Sequence, residues 1–308
     1  MKRYLLIAGT EKSGTTSVYH YLNSHPDVVG STRKETDFFR RHGPCASGAG
    51  LDAFDALFAS PSADCLRMEA SPGYLVDSEW SSVFINRLLP DALLLFILRD
   101  PIERLVSSFQ FHQSRLFLPE QMTFDAYVDI CLRYERGLLS IEDTGVGEWF
   151  LRVPDAGRYA RHLKDYFSIF PAAQIRVKAF DDLNRDPRSF MADVASWAGL
   201  DAGFYQGLEY PRANVTFSPK SSFVQRVALL GNHMLEPVFN RYPGLKRGLL
   251  RCYLWLNGRP AEKPVMSKET RRRLVDFYSA DLQELRDLLP TMASHVSLWM
   301  ERHAASVR

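Results

Sequence analysis

The run Gly9-Thr10-Glu11-Lys12-Ser13-Gly14-Thr15-Thr16 limits the fold more than any other stretch of the chain. It follows an apolar segment, residues 4–8, with the length and composition of a buried strand. It opens a segment, residues 15–23, in which Val18, Tyr19 and Leu22 stand at helical spacing. A strand, a glycine-bounded loop and a helix start aim backbone N–H groups and the positive helix end at one point, where an anion, usually a phosphate, is held. The helix ends at His25-Pro26, because the residue before a proline is pushed out of the helical region. The spacing is that of the nucleotide pattern Gly-x4-Gly-Lys-Ser/Thr with one change. Thr15 occupies the lysine position, and the loop's lysine, Lys12, stands three residues earlier.

Further strands are expected over 28–29, 66–69, 92–98 and 175–179. Helices are expected over 51–58, 78–89, 101–114, 124–134, 157–170, 187–198, 222–239, 246–256 and 268–289. Ser78 is the expected N-cap of its helix, Pro101 suits a first helical turn, and Gly199 a C-terminal stop. Strands alternating with helices predict an α/β fold: one domain, 1–308, with a central parallel sheet flanked by helices and a P-loop-like site. A ligand-binding core of about 1–200 and a helical part of about 201–308 belong to that one domain. Ligands bind at the carboxyl ends of parallel strands. There Arg99, with Ser107 two helical turns further on, offers a charged fork and a hydroxyl to a second phosphate. Pairing of Arg99 with Asp100 or Glu103, and a merely packed Ser107, would account for the same residues without a ligand.

Composition excludes some partners. Lys and Arg number 38 against 36 Asp and Glu, a net charge of +2, so there is no broadly basic surface for nucleic acid. Anion recognition must come from local placement. Cys45, Cys65, Cys131 and Cys252 form no Cys-x-x-Cys pair, which disfavours a zinc site and suits a reducing compartment. No His/Asp/Cys cluster has metal-ligand spacing, so no metal is expected. No apolar run is long enough for a signal peptide or a transmembrane segment, and the expected location is the cytoplasm.

Gly9–Thr16 resembles the 5′-phosphosulfate loop of the PAPS-dependent sulfotransferase superfamily, and the stretch from Phe96 through Arg99, Pro101 and Arg104 to Ser107 resembles its 3′-phosphate motif. Between them, Lys34-Glu35-Thr36-Asp37-Phe38-Phe39 and Glu69-Ala70-Ser71-Pro72-Gly73-Tyr74 look like signatures of the heparan sulfate sulfotransferase branch and its bacterial relatives. The resemblance implies a donor, 3′-phosphoadenosine 5′-phosphosulfate (PAPS), and a small-molecule or glycan hydroxyl acceptor. It implies that Lys12, Ser13, Gly14, Thr15 and Thr16 hold the 5′-phosphosulfate, that Arg99 and Ser107 hold the 3′-phosphate, and that Lys220 and Ser221 close over it. Lys12 would stabilise the leaving charge and Glu35 would be the general base, with His112 in reserve; His20 and His25 are expected to be structural. The glycan enzymes often carry lysine at the position of Ala70, and His and Asp at those of Asp37 and Arg40. Those departures place Asp37 and Arg40 among the expected acceptor contacts and imply a different acceptor.

Two other classes compete. A P-loop kinase or NTPase would need the lysine that Thr15 replaces, and a non-catalytic nucleotide-binding adaptor would have no reason to keep Lys12, Glu35, Arg99 and Ser107 together. Beyond residue 222, Leu229, Leu230, Met234, Leu249, Leu250, Tyr253 and Trp255 alternate with Arg241, Lys246, Arg247 and Arg251. Core-facing stripes with solvated basic faces are the expectation. A lid, or a peripheral contact with a membrane surface, is the alternative.

Overall fold

A computed structural model describes residues 2–41, 50–59, 64–211, 217–235, 243–260 and 262–307. Five strands, β1 (Arg3–Gly9), β2 (Val28–Gly30), β3 (Leu66–Ala70), β4 (Leu93–Leu98) and β5 (Ile175–Ala179), form one parallel sheet in the order β2-β3-β1-β4-β5. Both faces of the central strands are covered, which is why they are apolar throughout rather than alternating. On one face Leu5, Ile7, Met68, Leu95 and Ile97 pack with Val18 and Leu22 of helix Thr15–Leu22 and with Phe190 and Val194 of helix Pro187–Trp197. On the other, Phe96 meets the Tyr166 ring at 4.9 Å. Tyr166 belongs to helix Tyr159–Ile169, which packs against helix Ser78–Leu88.

The chain divides into two compact units. The sheet unit contains Met1–Arg104, Asp155–Asn214 and Arg271–Arg308. It includes helix Ala293–Val307 and most of helix Lys268–Leu288, which bury Leu274, Tyr278, Leu285, Val296 and Trp299. Trp299 Nε1 donates to Asp181 Oδ2 at 3.1 Å. The second unit contains Leu105–Pro154 and Val215–Thr270. In it, Phe109 packs on Phe124 and Tyr127, each at 5.4 Å, and Tyr127 donates to the Phe150 carbonyl at 2.6 Å. Helices Ser222–Met234 and Pro243–Asn257 lie in the same unit, with a short antiparallel pair, β6 (Phe217–Pro219) and β7 (Gly258–Pro260). Among the described residues Cys131 is a buried and Cys252 an exposed free thiol.

Several expectations need correction. The N-cap of helix Ser78–Leu88 is Asp77, and the Ser78 hydroxyl turns instead to Asp165 Oδ2 at 2.5 Å. Helix Leu51–Asp55 is shorter than expected, and a 3-10 turn, Asp155–Gly157, precedes helix Tyr159–Ile169. The stripes beyond residue 222 do not all face a core: Leu230, Met234, Leu249, Leu250 and Trp255 are exposed. Arg241, Cys45 and the expected helical residues 236–239 lie outside the described residues.

Candidate active site

The sheet order places the anion loop at a switch point. The chain leaves β1 toward β2 and leaves β4 toward β5, on the opposite side, so the carboxyl ends of β1 and β4 flank a crevice. Thr10 N donates to Ile97 O at 3.0 Å, tying the loop to the last residues of β4. Arg99 follows β4, and its Nη1 donates to Lys12 O at 3.1 Å. Two motifs 87 residues apart therefore meet in one place. The Tyr159 hydroxyl fixes the Arg99 carbonyl at 2.7 Å, and the Phe180 ring lies 5.0 Å from the guanidinium. Burial pulls the Arg99 guanidinium below its ordinary value, opposed by Glu103, Tyr159, Asp100 and Asp181. A desolvated cation of this kind gains from an anionic ligand.

Gly14 is the N-cap of helix Thr15–Leu22, with φ +81°, and offers no side-chain acceptor to the first-turn amides. That leaves a helix start suited to an anion. A side chain at Gly14 would put its Cβ 2.7 Å from Leu183 Cδ2, so the position is restricted by space as well as by backbone. Thr10 Oγ1 and Ser13 Oγ are buried with no hydrogen-bond partner, and Thr15 is buried beside them in the loop. Buried hydroxyls are normally satisfied, and the oxygens of an anionic ligand would satisfy these.

The Glu35 turn reaches the same edge of the sheet. Glu35 N donates to Ala70 O at 3.0 Å, and Ala70 pairs in register with Ile7 of β1. The turn is built on a buried carboxylate that the sequence did not single out. Glu69 Oε1 accepts from Thr36 N at 3.2 Å, Thr36 Oγ1 at 2.9 Å and Ser71 Oγ at 2.6 Å. Ser71 Oγ in turn accepts from Asp37 N at 2.9 Å. The Glu35 side chain is half-exposed and pairs with Lys34 Nζ. Lys34 also acts on His20, whose value is lowered by burial and by that neighbouring charge. Asp37 and Arg40 are brought together, at 3.2 Å, and Arg40 Nε also donates to Asp77 Oδ2 at 2.6 Å. Burial opposes the Arg40 charge, yet Asp77 and Asp37 raise its value overall.

Backbone conformation marks the same residues. Among the described residues, four non-glycine positions have left-handed backbone, and three of them are Lys12, Glu35 and Asp37, at φ 65°, 61° and 52°. Such conformations are held by their surroundings and cluster at functional sites.

The remaining expected residues lie in the second unit. Ser107 is half-buried on helix Pro101–Ser114, and His112 is buried there, edge-on to Phe150 at 4.9 Å. An imidazole packed among the rings of Phe111, Phe117 and Phe150 is in the setting of a core residue. Lys220 is exposed. Ser221 is clasped by Asn257, whose Oδ1 accepts from Ser221 N at 2.8 Å and whose Nδ2 donates to Ser221 O at 3.1 Å. The Asp100 carboxylate is engaged at a helix start and by the last helix, where Arg302 Nη1 donates to Oδ2 at 3.3 Å. It accepts from the Ile102 and Glu103 amides and from His303 Nε2, 2.7 Å away.

Glu69 supplies a pH prediction. Burial raises its value above that of an ordinary glutamate, against the lowering donors Ser71, Thr36 and Tyr74. The folded state thus holds the proton more tightly than the unfolded chain. Its contribution to stability is full below the unfolded value, about 4.3, and declines as pH climbs through the folded one. Glu69→Gln is expected to flatten that decline in denaturant titrations across pH. Glu69→Ala should cost about 1–3 kcal/mol, since it strands buried donors.

A five-stranded parallel sheet with a glycine-bounded βα loop at its switch point is the P-loop-like architecture. Residues 2–285 match the family model described as the sulfotransferase domain, and the chain belongs to that family, a family of transferases. It is similar to the mouse bifunctional heparan sulfate N-deacetylase/N-sulfotransferase 4, with 26% identity over 311 residues, covering 98% of this chain and 32% of the relative. It is 27% identical to the human bifunctional heparan sulfate N-deacetylase/N-sulfotransferase 1, covering 99% of this chain and 31% of that protein. The chain thus spans about a third of the length of these relatives. The sulfotransferase from Alicyclobacillus acidocaldarius shares the fold, with TM-score 0.61, 21% identity, and coverage of 94% of this chain and 96% of that one.

Proposed function

We propose that the protein moves the sulfuryl group of PAPS to a hydroxyl of a glycan, glycolipid or secondary metabolite. The observation that carries this reading is the Arg99 Nη1 contact with Lys12 O, which joins two anion-binding motifs into one place for a donor phosphorylated at both ends. The unsatisfied hydroxyls of Thr10 and Ser13 fit the same donor. PAPS supplies an activated sulfuryl group on its 5′-phosphate. The acceptor oxygen attacks sulfur in line, the S–O bond to the phosphate breaks, and its electron pair leaves with adenosine 3′,5′-bisphosphate. Glu35 takes the acceptor proton. Lys12, Thr15, Thr16 and the loop amides stabilise the charge that builds on the departing oxygen. Asp37 and Arg40 border the acceptor side, and Ser107, Lys220 and Ser221 are assigned to the 3′-phosphate. A reducing compartment, the cytoplasm, is part of this reading, in keeping with four cysteines that form no Cys-x-x-Cys pair.

A kinase reading is weaker, because the Asp100 carboxylate is committed to a helix cap and to His303. An amine acceptor is a second reading, favoured by the N-sulfotransferases among the relatives. Radiolabelled PAPS offered with a panel of hydroxyl and amine acceptors tests both. Label transferred to a hydroxyl is expected, label on amines alone would favour the second reading, and release of label from no acceptor would sink the first. In the same assay Arg99→Ala should raise the KM for PAPS roughly 100-fold, as loss of a charge-assisted contact does.

A further inference from the structure

The second unit presents an apolar face that its own core does not use. Among the described residues, eleven of the eighteen exposed large hydrophobic side chains fall between Phe223 and Val265. Along helix Ser222–Met234, Phe223, Val227, Leu230 and Met234 recur at spacings of four, three and four, which puts them on one stripe. Phe223 is 75% and Met234 79% exposed. The opposite side is anchored: Gln225 is buried, donates to Ser114 O at 2.7 Å and accepts from the Tyr253 hydroxyl. Through Tyr253 this helix is joined to helix Pro243–Asn257, which exposes Trp255 and Leu256. Orientation is therefore set by polar anchors, and the apolar stripe is left outward.

Charge narrows the identity of what covers it. The two helices carry Arg226, Lys246, Arg247 and Arg251 and no Asp or Glu, in a chain whose other residues sum to a negative charge. Arg226 is exposed beside the stripe. An apolar face with an aromatic at each helix and a one-signed basic complement matches the boundary of an anionic bilayer, where apolar burial and attraction to headgroups act together. Among the described residues no helix is long and apolar enough to cross a membrane.

We propose that helices Ser222–Met234 and Pro243–Asn257 seat the protein on an anionic lipid surface, with Phe223, Leu230, Met234 and Trp255 entering the headgroup boundary. The inference is independent of the acceptor and of the catalytic reading.

The test is co-sedimentation of the full chain with vesicles of phosphatidylcholine containing phosphatidylglycerol and with vesicles of phosphatidylcholine alone, alongside Trp emission. Binding to the anionic vesicles, weakening with added salt, and a blue shift of emission that Trp255→Phe removes are expected. Phe223→Ser with Leu230→Ser, both at exposed positions, should weaken binding roughly tenfold or more, and Arg226→Glu about as much. Unchanged thermal unfolding would show that these variants fold. Absence of binding, or equal binding to uncharged vesicles, overturns the proposal. So does a concentration-dependent dimer that the same serine substitutions abolish, since the face would then be covered by a second copy.

Discussion

Glu35→Gln is expected to lower sulfuryl transfer by roughly 10²–10⁴-fold, the range for loss of a positioned general base. Affinity for adenosine 3′,5′-bisphosphate should stay within about twofold, because distant contacts act independently. The amide keeps the shape of the side chain and leaves the turn intact, since that turn is held by the Glu35 backbone on Ala70 O and by Glu69 beneath it. What is lost is the proton acceptor. Steady-state rates with saturating PAPS, set beside calorimetric binding of the bisphosphate, separate the two effects. Retained turnover would move the base elsewhere, and His20 is then the first candidate. Burial and the charge of Lys34, the partner of Glu35, lower its value.

Lys12→Ala should reduce turnover by roughly 10²–10³-fold, the cost of removing one preorganised charge-stabilising group. Part of that loss will appear in PAPS affinity. The position is sensitive to backbone as well as charge, for Lys12 sits at φ 65° and its carbonyl receives Arg99. Lys12→Gly accepts that conformation without strain. A fall of similar size in both variants assigns the effect to the ammonium group. If Lys12→Gly kept near-full rate, the loop would act through its amides alone.

The strand, loop and helix that frame the candidate site were legible because their signals are local. The Gly9–Thr16 spacing depends on a tight turn and a helix start, and helix Pro101–Ser114 begins and ends as expected, because Pro101 suits the first turn. Other parts arise only in three dimensions. Glu69 draws two of its donors from Thr36, 33 residues away, and Asp100 meets His303, 203 residues along the chain. No periodicity encodes such pairs. The left-handed backbone of Glu35 and Asp37 is likewise imposed by the network under the turn. Along Ser222–Met234 the period revealed an apolar face but not whether protein covers it, and the core-facing expectation failed there.

On the proposed reading, the loop after β1 and Arg99 form one place for a nucleotide carrying phosphate at both its 3′ and 5′ ends. Calorimetric titration with adenosine 3′,5′-bisphosphate, run in parallel with magnesium ATP, tests it most directly. One-site binding of the bisphosphate is expected, with Kd on the order of 1 μM, corresponding to about −8 kcal/mol, and much weaker binding of ATP. ATP binding as tightly as the bisphosphate, or bisphosphate affinity untouched by Arg99→Ala, would contradict it.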